Sequence, residues 1–252
     1  LAKQPGPMAK KAADPNAIKA AAKTVVAEYE VPFLAHAPME PLNCTVEYRG
    51  DSAEVWCGSQ FQTVDQGAAA KVFGLAPDKV KLHTMLAGGG FGRRANPTSD
   101  YVVEACEIAK DVKVPVKVVW TREDDIRGGY YRPMYVHRVE AGVDAKGNVV
   151  GWNHAIVGQS IVGGTPFEVF LVKDGIDDTS VEGVRDTPYA LANLNVTLHT
   201  TKSEIPTLWL RSVGHSLRFV TNNSTTPRAT LAEELRELGF SLDDEEIQTT
   251  PL

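Results

Sequence analysis

The chain has 252 residues, 43% hydrophobic and 23% charged, with a formal net charge of -6, enough apolar material for one large domain or two modest ones. The acidic balance excludes a role on a nucleic-acid backbone, which needs a basic surface. No apolar run approaches the roughly 18 residues of a membrane span, and the opening LAKQPGPMAKKAADPNA carries no apolar signal-peptide core. Cys44, Cys57 and Cys106 show no CxxC spacing, which excludes a local four-thiolate site. An odd count gives no disulfide framework, and Cys106 reads as a small buried hydrophobe. The six histidines lack HxxxH or HExxH spacing, so no bare protein-ligated metal site is expected.

In chain order, residues 1–23 are polar and rich in Pro, Ala and Lys, and read as a tail or linker with one short helix. Thr24–Val31 alternates as a strand that Pro32 ends. Val46–Arg49 and Ala53–Cys57 form a hairpin across Gly50-Asp51, where Gly supplies a positive φ. Val64–Phe73 is a helix stopped by Gly74, and Val80–Leu86 alternates as a strand. Ser99 is placed to cap a helix through Lys110, with Val102, Ala105, Cys106 and Ala109 as its apolar stripe. Val114–Trp120 reads as a buried strand. Val136–Val143 and Asn148–Val157 pair across Asp144-Ala-Lys-Gly-Asn148. Further strands are expected at Asn195–Thr201 and Leu208–Leu210. Helices set between strands and hairpins predict an α+β fold of layered mixed sheets.

The stretch most suited to meeting a ligand is Gly88-Gly89-Gly90-Phe91-Gly92, between a strand and a helix. Consecutive glycines let main-chain N–H groups converge on an oxygen or anion. The spacing is not GxGxxG and no GK[ST] follows, so dinucleotide-fold and phosphate-loop readings are weak; alone, the segment is simply a turn. Three features occur together: Gln60 upstream of this loop, the segment Leu34-Ala-His-Ala-Pro-Met-Glu-Pro-Leu-Asn43, and Trp209-Leu-Arg-Ser-Val-Gly214. With them, residues 25–216 resemble the molybdopterin-binding large subunits of the xanthine dehydrogenase/aldehyde oxidase family, in particular isoquinoline 1-oxidoreductase beta subunits.

The resemblance implies oxidative hydroxylation of N-heteroaromatics or aldehydes with water as oxygen source, on molybdenum held by molybdopterin in its cytosine dinucleotide form. It places the Gln60 amide beside the metal's apical oxo ligand, where a neutral donor brings no titratable proton. Gly89, Gly90, Phe91 and Gly92 would bring their backbone to the same centre. Arg93 and Arg94 either lie near the dinucleotide phosphates or form a solvated charge pair. Arg211 and Gly214 belong to a second cofactor-contact loop. Glu40 lines the substrate side or accepts backbone hydrogen bonds in its loop, and His36 reads as a packed histidine. Partners implied are a 2Fe-2S small subunit and the remainder of the large subunit. The family's glutamate base, in a Gly-Glu-x-Gly segment, is absent from this string, so no residue here is assigned as catalytic and the chain alone is not expected to turn over.

Residues 217–252 read differently, as a strand–helix fragment resembling haloacid-dehalogenase-like phosphatases. Leu217–Val220 forms a strand and Thr226 caps a helix from Pro227, with Leu231, Leu235 and Leu238 on one face before Gly239. Thr221 would contact phosphate there, but an Asx-type turn explains the same residues. The DxDGT/V nucleophile motif is missing, so phosphatase chemistry is a remote reading. The expected organisation is therefore a tail at 1–23, a partial molybdopterin-binding domain at 24–216, and the fragment 217–252. A fused binding or structural module without cofactor is the alternative function.

Overall fold

A computed structural model of the chain describes residues 1–14, 16–191, 193–208, 219–221 and 247–249. Two compact units divide at Arg211/Ser212. The first begins with β1 (Met8–Lys10), β2 (Lys23–Val31), β3 (Leu34–Ala35), β4 (Asn43–Tyr48), β5 (Ala53–Cys57), α1 (Gln62–Phe73) and β6 (Val80–Thr84). It continues through α2 (Asp100–Val112), β7 (Val116–Val119), α3 (Arg122–Arg127), β8 (Tyr131–Arg132), β9 (Tyr135–Val143) and β10 (Val149–Gln159). A short-element region, α4 (Glu168–Leu171), β11 (Val172–Lys173), β12 (Ile176–Asp177) and α5 (Asp178–Val181), precedes β13 (Leu194–Thr201). The layered α+β architecture is the one expected.

Four strands in the order β6-β5-β4-β7 make the sheet that carries the glycine loop. Period-2 alternation in β4 and β5 turns Cys44, Val46, Ala53, Val55 and Cys57 to one buried face. Helices α1 and α2 cover that face with Ala69, Ala70, Phe73, Tyr101, Val102, Ala105, Cys106 and Ala109. Burying this apolar surface is the main stabilising term, at about 25 cal/mol per Å². Gly74 stops α1 in the left-handed conformation, its N–H returning to Ala70 and Lys71 carbonyls. Gly50 takes φ 94° in the β4–β5 turn.

The second sheet runs β1-β13-β10-β9-β2. Its long hairpin turns at Asp144, whose carboxylate accepts from the N–H groups of Lys146 and Asn148 at 2.8 and 2.9 Å. Ile156, Leu194, Val196 and Leu198 pack beneath Ile176 and Val181. Ile18 lies so close over the other face that a Cβ at Gly151 would stand 2.8 Å from it.

Four expectations are corrected. Among the described residues of 1–23 no helix forms: Met8–Lys10 adds a strand to β13, and Ala12, Ala17 and Ile18 are buried, because the sheet face at Gly142 and Gly151 leaves room for them. Of Val114–Trp120 only Val116–Val119 is a strand, and it lies at the sheet edge, not buried; Val119 is 57% exposed because only one face meets α2. Ser99 sits at the helix start with φ 52° and gives no side-chain cap. The strand from Val80 ends at Thr84, leaving Met85 and Leu86 exposed.

At the expected Leu208–Leu210 strand, Thr207 bridges Tyr131, and residues 209–210 lie outside the described residues. In the second unit, β14 (Phe219–Thr221) pairs in parallel with β15 (Ile247–Thr249). The first overlaps the strand expected at Leu217–Val220. The helix expected from Pro227 falls outside the described residues.

Candidate functional site

The site grows from the end of β5. After Cys57 the chain turns through Gly58 and Ser59, whose hydroxyl accepts from Phe61 N at 3.0 Å and donates to Asp65 Oδ2 at 2.5 Å. Asp65 is buried on α1, and burial pushes its pKa up, opposed by the Ser59 and Ser99 hydroxyls. This clamp presents Gln60. A carboxyl with a raised pKa contributes stability that is present below its unfolded value and lost as pH rises through the folded one. Asp65→Asn keeps an acceptor for Ser59 and removes the buried charge. Its expected result is an unchanged or higher Tm at pH 7, read by thermal unfolding, whereas Asp65→Ala should lower it.

Gln60 and the glycine loop hold each other directly. Gln60 N donates to Arg94 O at 3.1 Å, and Arg94 N donates to Gln60 Oε1 at 3.3 Å. A Cβ at Gly90 would stand only 2.6 Å from Gln60 Oε1. Gly89 and Gly92 take φ 104° and 99°, and Phe91 between them takes φ 53°, a left-handed conformation costly for a non-glycine residue. Because Oε1 faces Arg94, the Nε2 end of the Gln60 amide is left to donate outward. Met39, Met85, Leu86 and Phe91 flank the loop with exposed apolar side chains.

Glu40 fastens the loop from the other side. Its Oε2 accepts from Gly88 N at 2.8 Å and from Arg94 Nη2 at 2.9 Å, and its Oε1 from Asn43 Nδ2 at 3.0 Å. Glu40 N in turn donates to Gly88 O at 3.0 Å. The Gly88 N–H, with Asn43 and Arg94, holds the carboxyl below the usual range. Of the two readings of Glu40, this geometry is that of a loop acceptor. His36 is packed, its ring Nδ1 3.1 Å from Tyr130 O. A folded pKa below the unfolded one means stability present above about pH 4.3 and lost as pH falls through the lower value. The unfolding midpoint should drop in that acid window, and Glu40→Gln should flatten the drop.

Arg93 and Arg94 do not form a solvated pair; both side chains turn inward. They are 1% and 0% exposed. Arg93 makes a two-pronged pair with Asp100, Nη1–Oδ1 3.1 Å and Nη2–Oδ2 2.5 Å, and lies 5.5 and 5.4 Å from the Trp120 and Tyr130 rings. Arg94 donates Nε to Gly89 O at 3.0 Å and Nη2 to Glu40 O at 3.2 Å. The physical reason is the glycine loop itself for Arg94, whose guanidinium folds beneath it and bonds the Gly89 carbonyl, and Asp100 for Arg93. Sequence reasoning missed Ser59, Asp65 and Asp100. Only the acid at the α2 N-terminus carried a signal, since carboxylates favour that position. Arg211 and Gly214 lie outside the described residues.

Among the described residues no three His, Cys, Asp or Glu side chains converge as metal ligands. What the loop offers is a side-chain-free cradle beside an amide donor, a donor set that fits a group carrying its own metal and approached by backbone and amide hydrogen bonds.

Comparisons with known proteins bear on the family. The isoquinoline 1-oxidoreductase beta subunit of Brevundimonas diminuta is 40% identical over 135 residues, 53% of this chain and 17% of that protein. A membrane-bound aldehyde dehydrogenase [pyrroloquinoline-quinone] of Gluconacetobacter polyoxogenes is 30% identical over 161 residues, 59% of this chain and 21% of that protein. This chain thus spans about a fifth of the length of these relatives. Among solved structures, quinoline 2-oxidoreductase of Pseudomonas putida 86 shares the fold at TM-score 0.61 and 15% identity, over 94% of this chain and 30% of that one. The Desulfovibrio gigas aldehyde oxidoreductase does so at 0.60 and 19%, over 81% and 21%. Residues 3–217 match the family described as the molybdopterin cofactor-binding domain, and with them the glycine cradle and Gln60 fall inside the match: the chain belongs to that family.

Proposed function

We propose that this chain is the glycine-loop portion of a molybdenum hydroxylase large subunit, built to hold one side of a molybdopterin cytosine dinucleotide cofactor. The observation that carries the reading is the close approach of Gly90 to the Gln60 amide, held by Arg94 and Glu40 and open to the exterior. When bound, the cofactor supplies oxidative hydroxylation of N-heteroaromatics or aldehydes, with water as oxygen source. Gln60 would offer its amide hydrogens to the bound group and brings no titratable proton of its own. The backbone of Gly89, Gly90, Phe91 and Gly92 lines the same side, and the positive φ at Phe91 turns its ring outward. Arg93 and Arg94 act beneath the loop as positioning residues, and Arg211 and Gly214 would supply a second contact. The base, the remaining cofactor loops and the 2Fe-2S centre come from the rest of the large subunit and a small subunit, so turnover needs them.

The test is cofactor retention. The chain, produced in cells that make the cytosine dinucleotide cofactor, is assayed for molybdenum by mass spectrometry and for released pterin by fluorescence. Wild type should carry both. Gly90→Ala should lose about tenfold or more, since the added methyl displaces the Gln60 amide, a change of at least 1.4 kcal/mol in binding. Its far-UV circular dichroism should be unchanged, because the atom displaced is the end of a flexible side chain. Wild type without molybdenum and pterin would favour the cofactor-free module instead.

A further inference from the structure

Strand β2 is the free edge of the five-stranded sheet: among the described residues it pairs with β9 on one side and with no strand on the other. It is nine residues long, and its register with β9 runs without a shift from Lys23↔Val143 to Val31↔Tyr135. Natural edge strands of this length are normally blunted by a bulge, an internal proline or a covering element, because their unpaired N–H and C=O groups template further pairing. Among the described residues β2 has no bulge, no internal proline and no further strand beside it; its charges are Lys23, Glu28 and Glu30, while Val25, Val26 and Tyr29 are 46%, 49% and 58% exposed. Apolar side chains thus stand open on both faces of the edge.

We propose that this edge is a self-association surface, on which β2 pairs antiparallel with β2 of a second copy across a two-fold axis at Ala27. The sequence is complementary to itself in that register. Lys23 lies opposite Val31, Thr24 opposite Glu30, Val25 opposite Tyr29 and Val26 opposite Glu28, so all nine residues pair and no like charges stand face to face. The Val25–Tyr29 contact occurs twice on one face, and β-branched with aromatic is a favourable cross-strand pair. Centring the axis on Glu28 would oppose Glu28 to itself, and centring it on Tyr29 would oppose Glu28 to Glu30. The two Glu28 carboxylates approach diagonally at the Ala27 axis, but each already faces Lys3 Nζ at 3.3 Å and Arg138 Nε at 3.4 Å. An isologous contact of this kind closes as a dimer and goes no further.

Light scattering with size exclusion, across a concentration series of the 252-residue chain, reads the state directly. Wild type should run at twice the chain mass. Val25→Lys with Tyr29→Lys, both at exposed positions, should raise the dimer Kd by about tenfold or more with an unchanged circular dichroism spectrum. Ala27→Cys tests the register: mild oxidation should give a covalent dimer on a non-reducing gel, since the native cysteines are at most 1% exposed. A monomeric wild type overturns the proposal and assigns the edge to a different chain segment. A dimer that survives the double lysine variant, or no cross-link at Ala27→Cys, overturns it as well.

Discussion

Asp100→Ala should destabilise the chain by about 3–5 kcal/mol, the cost typical of removing one partner from a buried ion pair. Arg93 is 1% exposed, and Asp100 is the carboxylate that takes both of its Nη groups. Losing it leaves a charge buried between two aromatic rings. It also removes an anion from the first turn of α2, worth a further 0.3–1 kcal/mol or so. Arg93→Met behaves oppositely: it removes the charge, keeps much of the volume and leaves Asp100 partly exposed to water, so it should cost about 1 kcal/mol or less, since a hydrophobic replacement of a buried pair is often neutral. Urea unfolding of both single variants and the double variant closes the cycle. The expected result is that Arg93→Met rescues most of the Asp100→Ala loss. An additive double variant would show that the pair does not act as a unit.

Acid should weaken the five-stranded sheet in a separate window. His137 Nδ1 and His154 Nε2 lie 3.0 Å apart on adjacent strands, so one ring must donate and the other accept, and two imidazolium ions cannot share the contact. Burial, then the neighbouring His137, pushes the His154 pKa down to about 4, and burial lowers that of His137. A histidine with a depressed folded pKa contributes stability that is present above the unfolded value of about 6.5. That stability is lost as pH falls through the window toward the folded value. A drop from 6.5 to about 4 corresponds to about 3 kcal/mol as an order of magnitude. Thermal unfolding followed from pH 7 to pH 4 should show Tm falling through this range, and His154→Gln should flatten the profile. An identical profile in the variant would remove this pair as the cause.

The acid window of Glu40 lies lower, so the two can be separated. Glu40 is more than a third exposed, and solvent screens its contribution. His154 acts above about pH 4, and Glu40 acts below the ordinary carboxylate range. A double variant, Glu40→Gln with His154→Gln, should therefore flatten both limbs independently.

Much of the fold was legible because it rests on local rules. The alternation in Asn43–Tyr48 and Ala53–Cys57, the stripe at Val102, Ala105, Cys106 and Ala109, and the turns at Gly50 and Asp144 depend on spacing and backbone chirality. Gln60 and the Gly88–Gly92 loop were legible through resemblance, and the structure brings them within van der Waals reach. Less local features were misread. The N-terminal segment Met8–Lys10 became a strand because β13 offers it an edge, and edge pairing depends on a partner more than 180 residues away in sequence.

What the sequence by itself determined is the family, through resemblance, and the α+β class, through the period of its strands and helices. The roles of the charges were decided only by the tertiary structure. Two adjacent arginines after a glycine loop carry no mark of which way they point. Burial of both, with Asp100 and Glu40 as partners, depends on Asp100 opening α2 beside Arg93 and on the loop meeting the Pro38–Glu40 segment. The free energy of a charge is set by its surroundings far more than by its position in the chain, so their part in holding the Gln60 loop became readable only once the surroundings were in place.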